Sequence, residues 1–214
     1  MEPELMEDPE QAEAYAHADF SASDERFVSA FTARFASLEP GPVVDLGCGP
    51  GNIALRLAAA LPQREVHGVD GSAAMLAIAR RSGAVHGERL RLIEARLPTE
   101  ALATQSYAAI VSNSLLHHLP NPVTLWQTVG RIGKPGAAVF IGDLRRPATP
   151  EAARALVDRY ARSDPDVLRA DFLASLHAAF EADEVRSQLL EARLDLSVEE
   201  VDDRYLWIWG RLPL

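Results

Sequence analysis

Residues 43–57 contain the pattern of residue types that points most clearly to a chemical function. They read V-V-D-L-G-C-G-P-G-N-I-A-L-R-L. A β-branched run ends at Asp45, three alternate glycines follow, and an apolar helical pattern comes next. Glycine tolerates positive φ and lets a ligand approach the main chain, and the first turn of a helix offers unpaired N–H groups. The spacing therefore predicts a strand, a tight turn and a helix that together bind a nucleotide-like cofactor.

Two features of this loop distinguish the possible cofactors. A dinucleotide-binding loop has the form G-x-G-x-x-G, but Asn52 stands where its last glycine would be, and an acidic Asp45 before the loop is atypical of it. The segment D-L-G-C-G-P-G resembles motif I of the class I S-adenosylmethionine-dependent methyltransferases. The resemblance implies S-adenosylmethionine as cofactor and transfer of its methyl group to a small-molecule acceptor by direct in-line displacement.

Acidic residues at the ends of the next two predicted strands extend the resemblance. Asp70 ends V-H-G-V-D, where a carboxylate can accept both ribose hydroxyls of an adenosyl group; alternatively, it caps the following turn. The segment L-I-E-A-R-L-P resembles the family's G-D-A-x-x-L-P. Glu94 replaces the family's Asp, which binds the adenine amino group. The resemblance also implies that the backbone of Ala95 binds an adenine ring nitrogen. Met75 is either a core residue or a contact to the adenine. The cofactor-binding residues implied in this way are Asp45, Gly47, Gly49, Gly51, Asn52, Asp70, Gly71, Ser72, Met75, Glu94, Ala95, Arg96, Asn113, Ser114 and His118.

The acceptor side is predicted from the ends of the later strands. Asn113 and Asp143 end predicted strands at the sheet edge where ligands bind, and His118 in S-L-L-H-H-L-P is a candidate general base. One histidine of this pair is alternatively structural. Arg145 belongs either to a site for an acceptor carboxylate or phosphate or to solvated ion pairs. The catalytic candidates are Tyr15, His118 and Asp143; the acceptor-binding candidates are Tyr15, Asp19, Phe20, Asn113, Arg145 and Tyr160. No spacing typical of a metal site is present.

The elements that must position these residues alternate between strand and helix over residues 43–144. Near-continuous apolar strands separated by helices predict a parallel sheet covered on both faces. One long helix is predicted before them over residues 8–38, and helices over 151–162 and 168–187 and two closing strands are predicted after them. The resemblance implies an α/β three-layer sandwich with a mostly parallel seven-stranded sheet of order 3-2-1-4-5-7-6, whose last strand is antiparallel.

A single methyltransferase domain over residues 1–214 is therefore expected. Its parts are a helical N-terminal lid over 1–40, a cofactor-binding core over 41–147, a helical cover over 148–188 and closing strands over 189–214. Such a lid excludes water from a reaction.

Composition limits the partners and the compartment. The chain has 214 residues and a formal net charge of −10, which disfavours a nucleic-acid substrate. A single cysteine forbids an intramolecular disulfide, and neither a membrane-spanning run nor a signal-peptide core is visible. These features predict a cytoplasmic monomer or homodimer that acts on a small molecule, with no nucleic-acid or membrane partner.

Two other functions share these features. A dinucleotide-dependent oxidoreductase has a similar fold, although the missing glycine opposes it. A non-catalytic or regulatory methyltransferase-like subunit is also consistent with the sequence, because Glu94 and Ala108 depart from the family's motifs.

Overall fold

The computed structural model describes residue 7 and residues 9–214. The helices are α1 (Pro9–His17), α2 (Ser21–Arg34), α3 (Asn52–Ala60), α4 (Ala73–Gly83), α5 (Val123–Ile132), α6 (Pro150–Tyr160), α7 (Asp166–Ala178) and α8 (Ala182–Glu191). The strands are β1 (Val43–Leu46), β2 (Val66–Asp70), β3 (Leu90–Glu94), β4 (Tyr107–Asn113), β5 (Gly133–Leu144), β6 (Ser197–Glu200) and β7 (Tyr205–Arg211). Short 3-10 turns cover Ala84–Arg89 and Leu116–His118.

All seven strands form one sheet in the order β3-β2-β1-β4-β5-β7-β6, which confirms the predicted order. β1 pairs in parallel with both β2 and β4, whereas β7 is antiparallel to β5 and β6. From β1 the sheet extends through β2 to β3, and the chain then returns to the other side of β1 to form β4. The strand order therefore reverses between β1 and β4. Ligands of doubly wound sheets bind beyond the carboxyl ends of the strands at such a point, and the glycine loop after β1 lies there.

Strand β5 shows how the sheet separates two buried cores. Val139 and Ile141 belong to a cluster with α5 and α8, whereas Ala138 and Phe140 pack with α2 and α3 on the other face. Successive side chains of a strand point to opposite faces, so a continuous apolar run is what a doubly covered strand requires. The predicted three-layer arrangement is thus confirmed.

The predicted single helix over residues 8–38 is wrong, because α1 and α2 are separate. Residue 8 lies outside the described residues. The break falls at Ala18–Phe20, and Asp19 Oδ1 accepts hydrogen bonds from the backbone N–H (3.0 Å) and hydroxyl (2.5 Å) of Ser21. Local side-chain acceptors of this kind compete with the helix and start a new one.

Three further boundaries differ from the prediction. The helix predicted over 168–187 divides into α7 and α8, where Glu181 and Glu184 form a capping box. The first closing strand begins at Ser197 rather than at residue 194. The predicted turn at 134–136 lies within β5, which passes through Gly136 at φ 74° with an irregular register.

None of the described helices is long and apolar enough to cross a membrane. The division into lid, core, cover and closing strands stays a prediction.

Candidate functional site

The glycine loop between β1 and α3 uses left-handed backbone at all three glycines, with φ of 71° at Gly47, 51° at Gly49 and 92° at Gly51. These conformations favour glycine. A Cβ added to Gly47 would lie 2.8 Å from Leu115, and one added to Gly51 would lie 3.1 Å from Ala79. A Cβ on Gly49 would meet nothing within 4 Å. Gly49 therefore faces open space where a ligand can approach the main chain.

Asp70 at the end of β2 is bonded to this loop. Its Oδ2 accepts from the N–H of Gly49 and its Oδ1 from the N–H of Ser72, each at 2.8 Å. Burial raises the pKa of Asp70, and these backbone donors partly oppose the rise. A carboxylate offers about four acceptor positions, so Asp70 holds the loop and keeps acceptor capacity for further donors.

A cavity of about 310 Å³ lies beside Asp70, between the ends of β2 and β3. Its lining residues are Glu7, Gly71, Ala73, Ala74, Glu94, Ala95 and Arg96. Arg96 is paired with Glu7 at 2.6 Å, so the N-terminal segment forms part of the wall. The Ala95 N–H donates to Asp70 O at 2.9 Å. That N–H therefore already has a partner within the protein, and the predicted contact between the Ala95 backbone and adenine stays a prediction.

Ser72 and Met75 have structural positions next to this cavity. Ser72 caps α4, and its hydroxyl accepts from the Met75 N–H at 3.2 Å. The Met75 side chain is buried in a cluster with Ala12 of α1 and Ile78 of α4. Met75 was considered either a core residue or a contact to the adenine, and its packing partners are those of a core residue.

Two further buried carboxyl groups lie near the loop. Asp45 on β1 is 1% exposed and Asp24 on α2 is 4% exposed. The buried Oδ2 of each has no hydrogen-bond partner among the described residues, although Arg56 Nη1 lies 3.5 Å from Asp24 Oδ2. Burial, followed by repulsion from Asp70, raises the pKa of Asp45 well above its usual range.

Asp24 was missed by the sequence-based prediction. Burial raises its pKa to about 6, and the Arg56 charge opposes the rise. The available signal was its place on the apolar face of α2, at helical spacing from Phe27, Val28 and Phe31. An acid at such a position is rarely buried without a reason.

Asp143 has a role different from the predicted one. Its Oδ1 lies 2.6 Å from His117 Nδ1 and accepts from the Leu144 N–H, while Oδ2 accepts from the Leu116 N–H at 2.7 Å. The side chains of His117 and Asp143 are each 2% exposed. The structure therefore contradicts Asp143 as a base that meets the acceptor, since it is buried and holds the 116–118 turn.

His118 stacks against His117, with ring centroids 4.1 Å apart. Burial, and then the neighbouring His117, lower the pKa of His118 to about 4. Helix α7 packs against this turn. The imidazole of His118 is consequently neutral at pH 7, which is the state required of a proton acceptor.

Asn113 and Ser114 follow β4 at the ligand edge. The Asn113 Oδ1 lies close to Gly142, where a Cβ would be 2.8 Å from it. Ser114 has φ 58°, and its N–H donates to Gly142 O at 2.9 Å. Left-handed backbone at a non-glycine residue stores strain and is concentrated at functional sites. Both residues thus lie at the carboxyl ends of β4 and β5, the edge at which ligands of doubly wound sheets bind.

The aromatic and acidic residues of the N-terminal segment do not gather at this acceptor edge. Tyr15 packs on the α1–α4 cluster near Met75, with Phe20 5.0 Å away from its ring centroid. Asp19 is exposed, and its hydrogen bonds to Ser21 lower its pKa. The structure therefore places Tyr15 on the β2–β3 side rather than beside His118, and Asp19 at the start of α2.

Arg145 and Tyr160 lie at the β5–β7 end and are tied to neighbouring acids. Arg145 forms an ion pair with Glu200, which is the ion-pair alternative considered for it. The Tyr160 hydroxyl donates to Asp203 at 2.9 Å. Arg204 lies over the Tyr160 ring, 3.7 Å from its centroid.

Arg204 and Tyr205 were also missed. The Arg204 guanidinium is 4.9 Å from the ring centroid of Tyr205, which pairs with Leu144 at the end of β5. Burial raises the pKa of Tyr205. Their sequence, R-Y-L-W-I-W, predicts only an amphipathic strand, and the register with β5 was needed to place them at the ligand edge.

No three His, Cys, Asp or Glu side chains are grouped as metal ligands in the described part of the chain. Cys48 in the glycine loop is buried, and burial raises its thiol pKa well above the usual range. A thiol in this state is a poor nucleophile.

Comparison with known sequences identifies relatives of the site-bearing half. Residues 43–136 match a family described as a methyltransferase domain. The ubiquinone biosynthesis O-methyltransferase of Bordetella bronchiseptica is 33% identical over 113 residues, which are 51% of this chain and 45% of that protein. The match thus spans about half the length of this curated relative.

Comparison with solved structures extends the likeness to almost the whole chain. A protein described as a SAM-dependent methyltransferase from Aquifex aeolicus has a TM-score of 0.71 at 18% identity, covering 96% of this chain and 98% of that one. A Haemonchus contortus phosphoethanolamine N-methyltransferase, solved with S-adenosyl-L-methionine, has a TM-score of 0.72 at 16% identity, covering 97% of this chain and 58% of that one. At these identities the likeness is one of fold.

Proposed function

We propose that this chain is a class I S-adenosylmethionine-dependent methyltransferase, which transfers the methyl group of S-adenosylmethionine to a small-molecule acceptor. The observation that carries the proposal is the position of Asp70. Its carboxylate ends β2 and holds the glycine loop through Gly49, and the next residue, Gly71, lines the 310 Å³ cavity. That arrangement supports an adenosine site with the ribose at Asp70.

The residues of the site fit this cofactor in two independent ways. Gly49 presents main chain to open space, so a ligand can lie against the loop. The buried Oδ2 atoms of Asp24 and Asp45 lack hydrogen-bond donors, and S-adenosylmethionine carries an ammonium group. In this proposal Asp70 holds the ribose, the cavity between β2 and β3 takes the adenine, and the loop after β1 takes the methionyl part.

Bound S-adenosylmethionine supplies a methyl group that is already activated by the sulfonium. The chain's own contribution is to bind and align the reactants, and positioning of this kind is worth on the order of 7–11 kcal/mol. His118 is the candidate to take a proton from the acceptor. Because its pKa is about 4, it is a weak base, which favours acceptors that ionise readily or arrive deprotonated.

The acceptor is proposed to bind at the β4–β5–β7 end of the sheet edge. This end carries Asn113, His118 and the guanidinium of Arg204, which lies among the rings of Tyr160 and Tyr205. The relative from Bordetella bronchiseptica is named for ubiquinone biosynthesis, which supports a small organic acceptor. The chain's compartment and oligomeric state stay predictions: cytoplasmic, and a monomer or homodimer.

Calorimetry with S-adenosylhomocysteine and with NAD tests the cofactor. We expect micromolar-range binding of S-adenosylhomocysteine, about −8 kcal/mol, and no measurable binding of NAD; binding of NAD alone would indicate the oxidoreductase. A panel of phenolic, amine, thiol and carboxylate acceptors with methyl-labelled S-adenosylmethionine then tests transfer. Binding without transfer to any class would instead favour the non-catalytic subunit.

A further inference from the structure

One half-buried arginine has a guanidinium that donates to no oxygen of the described residues. In the same part of the chain, each of the other half-buried arginines donates to a carboxylate or carbonyl oxygen. The Arg204 guanidinium instead lies among three aromatic rings. Its central carbon is 3.7 Å from the ring centroid of Tyr160 and 4.9 Å from that of Tyr205. The ring of Phe172 lies at 5.9 Å. A guanidinium carries five N–H donors, so Arg204 has hydrogen-bonding capacity that these contacts do not use.

The two acids next to Arg204 in the sequence are bound to other arginines. Asp203 accepts from Arg159 at 3.1 Å. Asp202 accepts from Arg26 at 2.6 Å, and its second oxygen accepts the main-chain N–H of Arg204 at 3.0 Å. The local sequence therefore offers two carboxylates, but neither forms an ion pair with the Arg204 side chain.

The start of β7 brings Arg204 to the edge of the sheet where ligands bind. Because β7 is antiparallel to β5, its first residues lie beside the carboxyl end of β5. The carbonyl oxygen of Arg204 accepts the N–H of Arg145, which directly follows β5, at 2.8 Å. Helix α7, which carries Phe172, packs against the turn that holds His118. The rings around Arg204 thus belong to the same end of the edge as the candidate proton acceptor.

Tyr205, the next residue, connects Arg204 with the interior of the site. Burial raises the pKa of Tyr205, the Arg204 charge opposes the rise, and the charges of three acids add to it. Those acids are Asp202, Asp24 and Asp143. The Tyr205 hydroxyl therefore lies within electrostatic reach of α2 and of the end of β5. A molecule held by Arg204 and lying along Tyr205 would extend toward the centre of the edge.

The chemistry expected of the partner is that of a carboxylate. A guanidinium that stacks on a ring keeps its N–H edge free, and this planar edge forms two parallel hydrogen bonds to a carboxylate. A phosphate dianion is better matched by several cations, but the nearby Arg145 and Arg159 are paired with Glu200 and Asp203. Two of the three rings pack on the apolar cluster of α6 and α7, which favours an apolar or aromatic body on the carboxylate.

We propose that Arg204 binds a carboxylate of the methyl acceptor, and that the apolar part of the acceptor lies against Phe172 and Tyr205. This inference rests on the proposed function, since it assumes that a methyl acceptor binds at this edge. It narrows the acceptor from small molecules in general to carboxylic acids with an apolar or aromatic body. It also makes Arg204 the residue that distinguishes an acid from its neutral amide.

The test uses three probes that share a phenyl ring and differ in the group attached to it: benzoate, benzamide and phenylphosphonate. Each is titrated into the full chain by NMR, with and without saturating S-adenosylhomocysteine, to obtain its dissociation constant. The variants are Arg204→Gln, Arg204→Lys and the matched control Arg162→Gln, which removes an exposed positive charge just after α6.

The wild type should bind benzoate at least about tenfold more tightly than benzamide, a factor within the range for hydrogen bonds to a charged group. Arg204→Gln should remove this preference, and Arg162→Gln should keep it. A smaller preference in the wild type, or one that persists in Arg204→Gln, overturns the assignment. Tighter binding of phenylphosphonate than of benzoate would assign a phosphate instead, and the proposal would be wrong.

Arg204→Lys keeps the charge and serves if Arg204→Gln does not fold. Because lysine lacks the planar pair of donors, the preference for benzoate should fall at least about threefold in this variant. An unchanged preference would contradict binding of the carboxylate by the guanidinium edge.

Methyl transfer provides a second readout. Acids in the acceptor panel should be methylated in preference to their amides, and Arg204→Gln should raise KM for the acids with kcat little changed, because a contact made equally in the ground and transition states acts on KM. Preferred methylation of the amides overturns the proposal. A wild type that binds no S-adenosylhomocysteine rejects the proposed function itself, whereas one that binds it without preferring benzoate rejects only the role of Arg204.

Discussion

The main-chain N–H of Gly49 donates to Oδ2 of Asp70 at 2.8 Å, across 21 residues of sequence. The same carboxyl group accepts the N–H of Ser72 at the start of α4. One side chain thus joins the loop after β1 to the turn after β2, directly before Gly71, which lines the cavity. Loop geometry and the proposed ribose site consequently depend on the same residue.

Replacing Asp70 by Ala is expected to lower the affinity for S-adenosylhomocysteine on the order of 100-fold or more, because two backbone donors and the ribose lose a charged acceptor. Calorimetry measures the affinity, and the same substitution at exposed Asp195 is the control. Near-normal binding by Asp70→Ala would contradict the assignment of the ribose to this residue.

Gly49→Ala separates ligand contact from backbone strain. The residue has φ 51°, and its Cβ would meet nothing within 4 Å. Gly87 provides a matched control, since it has φ 57° and equally open surroundings but lies in the turn before β3. Gly49→Ala should lose about 1–2 kcal/mol of unfolding free energy, the strain of a left-handed residue. Gly87→Ala should lose at least as much, because φ 57° with ψ −138° is a backbone conformation that residues with a Cβ avoid.

Only Gly49→Ala should also bind S-adenosylhomocysteine more weakly, by tenfold or more, because its methyl group enters the volume of the ligand. Urea denaturation gives the stabilities and calorimetry the affinities. Equal affinities for the two variants would show that the ligand does not lie against Gly49.

The residues that sequence reasoning placed well are those fixed by local rules. Gly47, Gly49 and Gly51 adopt the positive φ that their spacing predicts, and Ser72 caps α4 as its position suggests. The alternation of apolar strands and helices was sufficient for the layers of the sheet. Such signals depend on a few neighbouring residues, so a single sequence contains them.

The residues that sequence reasoning placed wrongly depend on contacts between distant segments. Asp143 was expected at the acceptor because it ends β5, but the buried His117 turns it inward. Asp24 was overlooked because only the packing of α2 on α3 reveals its burial. The break at Asp19 divides a pattern that periodicity alone reads as one helix.

Asp143→Ala is expected to destabilise the fold by about 3 kcal/mol or more, because each buried hydrogen-bond donor left without an acceptor costs about 1–3 kcal/mol. His117 and the N–H groups of Leu116 and Leu144 would lose their acceptor. Asp143→Asn keeps one acceptor oxygen and should lose less. Urea denaturation measures both, and a loss below 1 kcal/mol for Asp143→Ala would argue against the inward, structural role.

His118 should make the stability of the fold depend on pH. Its pKa falls from about 6.5 in the unfolded chain to about 4 in the folded protein, with burial as the main cause. Between these values the unfolded chain binds a proton that the folded protein does not. Stability from His118 is therefore fully present above pH 6.5 and is lost as the pH falls to about 4.

The full change amounts to about 3 kcal/mol, since each pKa unit corresponds to about 1.4 kcal/mol. Asp24 acts in the opposite direction, because its raised pKa stabilises the fold as the pH falls through about 6. Comparing the wild type with His118→Gln cancels that contribution. The unfolding free energy of the wild type, measured in urea from pH 7 to pH 4.5, should fall more steeply than that of the variant. Parallel curves would mean that the His118 ring accepts a proton in the folded state as readily as in the unfolded chain. The imidazole of His118 would then be charged rather than neutral at mildly acidic pH.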